Sequence, residues 1–300
     1  MKQLLVPLTI VLGMTAAAEA DVVVSSKIDT EGGVLGHVIL AILEAGDVPV
    51  QNRLQLGSTP IMRQAIIAGE IDLYPEYTGN AAYFFDRAEE PVWQDADAGY
   101  TLAKEMDLAA NNIVWLQPAP ANNTWGVALR KDVASQNGIK TFSDFGAFVR
   151  GGGTVKLAAA AEFVNSAPAL PAFQKAYDFT LSADQLIVLS GGDTAATIQA
   201  AAQQISGANA AMVYGTDGAI AFSDLQVLQD DKNVQPIYLP TPIIRAAVLQ
   251  EYPQIETLLK PVFSELTLEV LQTLNGRVQV EGVPAEEVAR AWLTERGFLN

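Results

Sequence analysis

Asp72-Leu73-Tyr74-Pro75-Glu76-Tyr77-Thr78-Gly79-Asn80 sets two tyrosines three residues apart, with Pro75 and Gly79 constraining the backbone around them. An apolar helical pattern precedes the segment, so it reads as a strand running into a tight turn. Open α/β sheets place their ligands at the C-terminal ends of strands. An aromatic ring fixed there presents its negative π face to a cation. Trp125, Tyr214 and Tyr238 lie in or beside later predicted strands. With Tyr77 they make a four-ring set suited to a quaternary ammonium compound. A trimethylammonium head has no hydrogen to donate, so its pocket must use π faces, each contributing about 0.5–2 kcal/mol depending on desolvation. Each of these residues also suits ordinary strand-end packing, and Tyr74, which alternates with Tyr77 along the strand, fits packing better than ligand contact.

The elements that would position these rings follow from periodicity. Asp21 to Ser26 is a β-branched strand, Val34 to Leu43 a helix stopped near Gly46, and Val48 to Leu56 a second strand. Gly57-Ser58-Thr59-Pro60 predicts a helix start, with Ser58 or Thr59 as N-cap and Pro60 at the first helical position, running to about Ala68. Ile71 to Tyr77 is the third strand. This β-α-β-α-β order implies a parallel sheet with right-handed crossovers. A second α/β set follows a helix around Ala98 to Ala110. It comprises a strand over Asn122 to Arg130, a helix over Thr141 to Phe148, a strand over Thr154 to Ala159 and a helix over Ala167 to Tyr177. An alanine-rich helix then opens at Gly191-Gly192-Asp193-Thr194, with Asp193 as N-cap, and reaches about Ile205; a strand over Ala210 to Tyr214 completes the set. Tyr238 to Arg245 reads as a return strand, and Glu251 to Leu299 as mostly helical. The fold class expected is α/β, with two lobes between which the chain crosses more than once, able to close around a ligand.

Bulk properties narrow the function. Lys2, the apolar stretch Leu4 to Met14 and the small-residue site Ala18-Glu19-Ala20 predict a signal peptide over residues 1–20, cleaved after Ala20. The net charge of −16 opposes nucleic acid and anionic lipid as partners, but not a small cation. With no cysteine there is no disulfide, thiolate metal site or lipid-modified anchor, and the expected product is exported, unanchored and periplasmic. The lone histidine, His37, falls on an apolar helical stretch and reads as structural. Asp29-Thr30-Glu31-Gly32-Gly33 lacks the spacing of an EF-hand loop. Gly151-Gly152-Gly153 lacks the Lys-Ser or Lys-Thr of a phosphate loop. Glu162 and Asp217 could pair, yet nothing marks them as an acid/base couple. No metal or cofactor is expected.

The chain resembles the periplasmic substrate-binding proteins of ABC transporters for glycine betaine, choline, carnitine and related osmoprotectants, in the branch with a YPEYTGN motif. The segments that carry the resemblance are Gly57-Ser58-Thr59, Asp72 to Asn80, Pro118 to Trp125, Glu162-Phe163-Val164-Asn165, Tyr214-Gly215-Thr216-Asp217 and Pro242-Ile243-Ile244-Arg245, in one order over nearly the whole chain. It implies a bilobal type II periplasmic-binding-protein fold with two crossover strands, lobe I over 21–126 and 237–300 and lobe II over 127–236. It also implies a ligand site between the lobes. There Tyr77, Trp125, Tyr214 and Tyr238 would form an aromatic cage, Trp125 standing where the family usually has tyrosine. Lys27 would meet the ligand carboxylate, with Thr59, Asn80, Ser166 and Thr216 adding polar contacts. Two departures stand out: Asn80 replaces a hydroxyl residue of some members, and Ser166 stands where members often carry an arginine that clamps the carboxylate. Losing a bidentate arginine removes a strong interaction, so weaker betaine binding, or a ligand without a carboxylate, is expected. The implied partners are an ABC permease and its ATPase subunits, with the binding protein a monomer and not an enzyme. The alternative is an exported enzyme or a sensor domain of the same fold acting on another nitrogenous metabolite. The enzyme needs a nucleophile or acid/base set, which a chain with no Cys and one His does not advertise.

Overall fold

In the computed structural model, which describes residues 21–189 and 194–299, the chain forms two five-stranded mixed sheets, each covered by helices. The predicted signal peptide and the predicted cap at Asp193 lie outside the described residues. Among the described residues, no helix is long and apolar enough to cross a membrane.

The strands are β1 (Val22–Lys27), β2 (Val50–Gly57), β3 (Leu73–Tyr77), β4 (Ile113–Trp115), β5 (Trp125–Arg130), β6 (Leu157–Ala160), β7 (Leu186–Leu189), β8 (Ala210–Tyr214), β9 (Leu225–Val227) and β10 (Pro240–Arg245). The first sheet has the order β2-β1-β3-β10-β4 and the second β7-β6-β8-β5-β9. In the first, β1 runs parallel to β2 and β3 while β10 is antiparallel to β3 and β4. In the second, β6 is parallel to β7 and β8, and β5 is antiparallel to β8 and β9. The first sheet therefore draws on both ends of the chain, and the middle of the chain builds the second.

Two segments, 116–124 and 228–239, connect the sheets. They are bonded side by side: Asn123 donates its backbone N–H to the Tyr238 carbonyl at 3.0 Å, and the Tyr238 N–H donates to Asn122 Oδ1 at 2.9 Å. The Thr124 hydroxyl donates to the Pro236 carbonyl at 3.0 Å. β5 begins at Trp125 rather than at Asn122, and β10 at Pro240 rather than Tyr238: Asn122, Asn123 and Tyr238 bond to each other, while the Thr124 and Leu239 carbonyls accept from the Gly215 and Thr78 N–H groups just past β8 and β3. β3 starts at Leu73; just before it Asp72 bonds to both neighbouring strands through its backbone, and its carboxylate takes the Val23 N–H at 2.9 Å. The helix after β2 begins at Thr59 with Ser58 as N-cap, so Pro60 is its second residue, and the Ser58 side chain makes no capping bond. Periodicity gave no sign of β4, β7 and β9.

Each sheet has its own core. Val34, Leu35, Ile39 and Leu43 of helix Thr30–Ala45 pack on the first sheet with Phe263, Leu271 and Leu293 of the C-terminal helices. A second cluster, with Phe142 stacked on Phe173 at 4.1 Å between centroids, supports the other sheet. The two cores hold the sheet edges that face each other, and the candidate site lies there.

Candidate ligand-binding site

A cavity of about 970 Å³ opens between the sheets, a size at the upper end for drug-sized ligands. Tyr77, Trp125, Tyr214, Tyr238, Lys27, Thr59, Asn80, Ser166 and Thr216, the residues assigned from sequence, all line it. Strand register brings the rings there. Trp125 starts β5 opposite Tyr214, the last residue of antiparallel β8, and their ring centroids are 6.3 Å apart. Phe163 backs the indole edge-on at 6.1 Å. Tyr77 ends β3 opposite Pro240, which places it near Tyr238 on the incoming connection. Gly79 lies against the Tyr238 ring so closely that a Cβ there would sit 2.8 Å from it. Any side chain at 79 would displace that ring. Tyr74 points away into the core and is fully buried.

The polar residues are arranged around two buried carboxylates. Glu76, wholly buried in β3, accepts from the Lys27 ammonium, from Tyr74 OH at 2.8 Å, from the Tyr77 N–H at 2.8 Å and from Asn80 Nδ2 at 2.7 Å. Four donors on one carboxylate explain how a charge survives inside a sheet. The same bonds assign Lys27 and Asn80 a structural partner that sequence reasoning did not foresee. The Lys27 ammonium also lies 4.4 Å from the Tyr77 ring centroid, so it covers one face of that ring.

Glu31, in the first turn of helix Thr30–Ala45, is the second carboxylate. Its Oε1 accepts from Tyr77 OH at 2.7 Å and from Asn123 Nδ2 at 3.2 Å, and its Oε2 accepts from Asn275 Nδ2 at 2.7 Å. The Thr216 side chain bonds to it from the second sheet's side. Burial pushes the Glu31 carboxyl up to about 7, against the lowering effect of the Thr216, Tyr77 and Asn275 bonds. The Tyr77 and Tyr238 phenols are also driven well above their usual range, chiefly by burial.

Asp217 closes the far wall, accepting from the Thr194 hydroxyl at 2.9 Å and the Tyr214 N–H at 2.7 Å. Asp29 and Glu162 stand exposed at the rim. Sequence reasoning passed over Glu31, Asn123 and Asn275 as ligand-site residues. For Glu31 and Glu76 a usable signal existed, an acidic residue inside an otherwise apolar element. For Asn275, 244 residues from its partner Glu31, there was none. Among the described residues no group of acidic, His or Cys side chains could hold a metal ion.

Comparison with known proteins adds to the geometry. The model of the substrate-binding domain of the ABC-type glycine betaine transport system matches residues 20–295. The glycine betaine-binding protein YehZ of Escherichia coli is 53% identical over 283 residues, covering 94% of this chain and 93% of its own. A glycine-betaine-binding protein of Pseudomonas aeruginosa is 30% identical over 283 residues, covering 92% of this chain and 88% of its own. The solved structure of apo YehZ from Escherichia coli superposes with a TM-score of 0.83 and 52% identity, covering 93% of this chain and 100% of that one.

Proposed function

Since this chain belongs to the family of substrate-binding domains of ABC-type glycine betaine transport systems, we propose that its cavity captures a small quaternary ammonium solute in a cage of Tyr77, Trp125, Tyr214 and Tyr238 and hands it to a membrane permease. The chain is the substrate-binding component of an ABC osmoprotectant importer. The observation that carries the cage reading is the convergence of four aromatic rings from both sheets on one cavity. Desolvated π faces attract an onium ion that water would otherwise hold. The glycine betaine named for the relatives supports the same ligand class.

Lys27, Thr59, Asn80, Ser166 and Thr216 supply the polar edge of this site in our reading, Lys27 and Asn80 while still bonded to Glu76. The lobes are assigned as 21–126 with 237–300, and 127–236, which fits the strand membership of the two sheets. The protein acts as a monomer, is exported with cleavage after Ala20, works in the periplasm and releases its ligand unchanged to the permease and its ATPase subunits.

Calorimetry on the mature chain tests the cage. Trp125→Ala should weaken ligand binding about tenfold or more, the loss of roughly 1.4 kcal/mol or more. Trp125→Phe, which keeps a π face, should lose much less. Equal binding by wild type and Trp125→Ala would refute the assignment.

A further inference from the structure

Glu31 is buried on the cavity wall, and its hydrogen-bond partners among the described residues are all neutral. They come from four places: Tyr77 at the end of β3, Asn123 on the connection between the sheets, Asn275 on helix Leu268–Gln279 and Thr216 just past β8. One carboxyl group therefore touches a cage ring, a connection, the C-terminal tail and the facing sheet. Its own helix is capped by Asp29, which accepts the Gly32 N–H at 2.7 Å and acts on Glu31 as a like charge. Asp217, next to Thr216, accepts from the Thr194 hydroxyl and the Tyr214 N–H. Lys27 brings the one positive charge on the wall among the described residues, and it is paired with Glu76.

All four partners of Glu31 donate to it, a set that suits the ionised form, whose oxygens only accept. The protonated acid has an O–H of its own to place. An amide nitrogen cannot accept it, so the proton turns to the Tyr77 phenol or the Thr216 hydroxyl, and one of these reverses its bond or leaves. Either change reaches the ligand site. A phenol that donates to an anion has a more electron-rich ring than one that accepts from an acid. Lys27 covers one face of that ring, 4.4 Å from its centroid. An onium head on the other face brings Glu31 the opposite charge that its neutral partners do not. A cation within about 4–6 Å lowers a carboxyl's pKa by about 1–3, and with the phenol between them the small end of that range applies. Burial holds the Glu31 carboxyl at about 7 in the ligand-free protein, so both forms are populated near neutral pH.

We propose that Glu31 is a positioning residue that ties ligand capture to pH: ionised, it fixes Tyr77 and Thr216 around the onium head and supplies its counter-charge, and protonated, it releases them. The inference rests on the aromatic-cage reading above and deepens it by naming what regulates that site. The ligand lowers the carboxyl from about 7, so binding below that pH expels a proton. Affinity therefore rises with pH and levels off once Glu31 is ionised without ligand.

Titration calorimetry with glycine betaine tests this, because neither its quaternary nitrogen nor its carboxylate titrates between pH 5.5 and pH 8.5. Wild-type protein should bind about five- to tenfold more tightly at pH 8 than at pH 5.5. Titrations in buffers of different ionisation enthalpy should show release of about half a proton at pH 6.5 and almost none at pH 8.5. That proton count uses the native chain and stands whether or not a variant folds. Glu31→Gln, which keeps the size and loses the charge, should bind at every pH with the weak affinity of wild type at pH 5.5. His37→Gln should keep the wild-type profile, which separates Glu31 from the chain's only histidine, a residue whose charged neighbours are Glu286, Arg290 and Glu44. Affinity that stays level or falls as pH rises, or a Glu31→Gln profile parallel to wild type, would overturn this inference and leave the cage standing. Absence of wild-type binding at millimolar glycine betaine at every pH would overturn the cage and the inference together.

Discussion

Glu31 shows how one side chain organises the cavity. Its two oxygens collect the Tyr77 phenol and two asparagine amides, and through Thr216 it reaches the second sheet. Because burial raises its carboxyl from 4.5 to about 7, the folded state holds a proton that the unfolded chain has lost over that interval. The sign follows: this group costs no stability below about pH 4.5, and its contribution falls as pH rises to about 7, then levels off. The full loss is on the order of 3 kcal/mol. Glu31→Gln should therefore remove a downward trend: urea denaturation of the ligand-free protein at pH 5 and pH 8 should show a smaller drop in the variant than in wild type. Parallel pH profiles would show that Glu31 titrates normally. The four rings could be picked out in the sequence because a ring beside a strand end is a local pattern, whereas Thr59, Ser166 and Thr216 came only from the family resemblance; the structure places all of them on one cavity. Asn275 could not be picked out, because its role exists only once helices from opposite ends of the chain meet, and Glu31, although an acidic residue in an apolar helix, gave no sign of the partners it collects.

At the scale of elements, the wall of the site beyond β2 depends on a buried ion pair. Arg63, on helix Thr59–Ala68, grips Asp107, on helix Ala96–Asn111, through two bonds of 2.7 Å. Trp115 Nε1 and Asn111 Nδ2 complete that carboxylate at 2.8 Å each. The arginine also stacks over the Phe84 ring at 4.4 Å. Helix Thr59–Ala68 begins at Thr59, so this pair, about one turn further along, anchors the helix that carries a cavity residue. Asp107→Ala leaves the guanidinium buried without a counter-charge and should cost about 3–5 kcal/mol in chemical denaturation. A cost below about 1 kcal/mol, the range of an exposed pair, would contradict the role given to it. The long helices and the strands beside them were readable from apolar spacing. β4, β7 and β9, of 3, 4 and 3 residues, are too short to show a period. They form because a neighbouring strand offers them an edge.

For the molecule as a whole, the two sheets meet at more than the paired connections. Helix Leu268–Gln279 of the C-terminal tail lies against the short helix Gly218–Ala221, which follows β8. A Cβ on Gly218 would fall 2.0 Å from the Gly276 backbone nitrogen, so the contact is backbone on backbone. Gln272 Nε2 donates to the Gly215 carbonyl at 2.8 Å beside it. Bilobal proteins of this architecture work by closing around ligand, and this joint is where the tail meets the other sheet's helices next to the cavity. Gly218→Ala should hold the joint apart: small-angle scattering with saturating ligand should give a larger radius of gyration than wild type, and binding should weaken. Unchanged scattering and affinity would mean that the contact has no part in closure. The bilobal outline was expected from two α/β sets and repeated crossing of the chain. This glycine contact was not, since neither glycine carries any sequence mark of the other.

The central claim is that aromatic rings from both sheets hold an onium head in one cavity. A crystal structure of the mature protein with choline or glycine betaine bound tests it most directly. The account predicts the quaternary nitrogen between the sheets, within roughly 6 Å of the centroids of Trp125, Tyr214 and at least one of Tyr77 and Tyr238. A ligand bound with its nitrogen outside that reach, or away from this cavity, would contradict it.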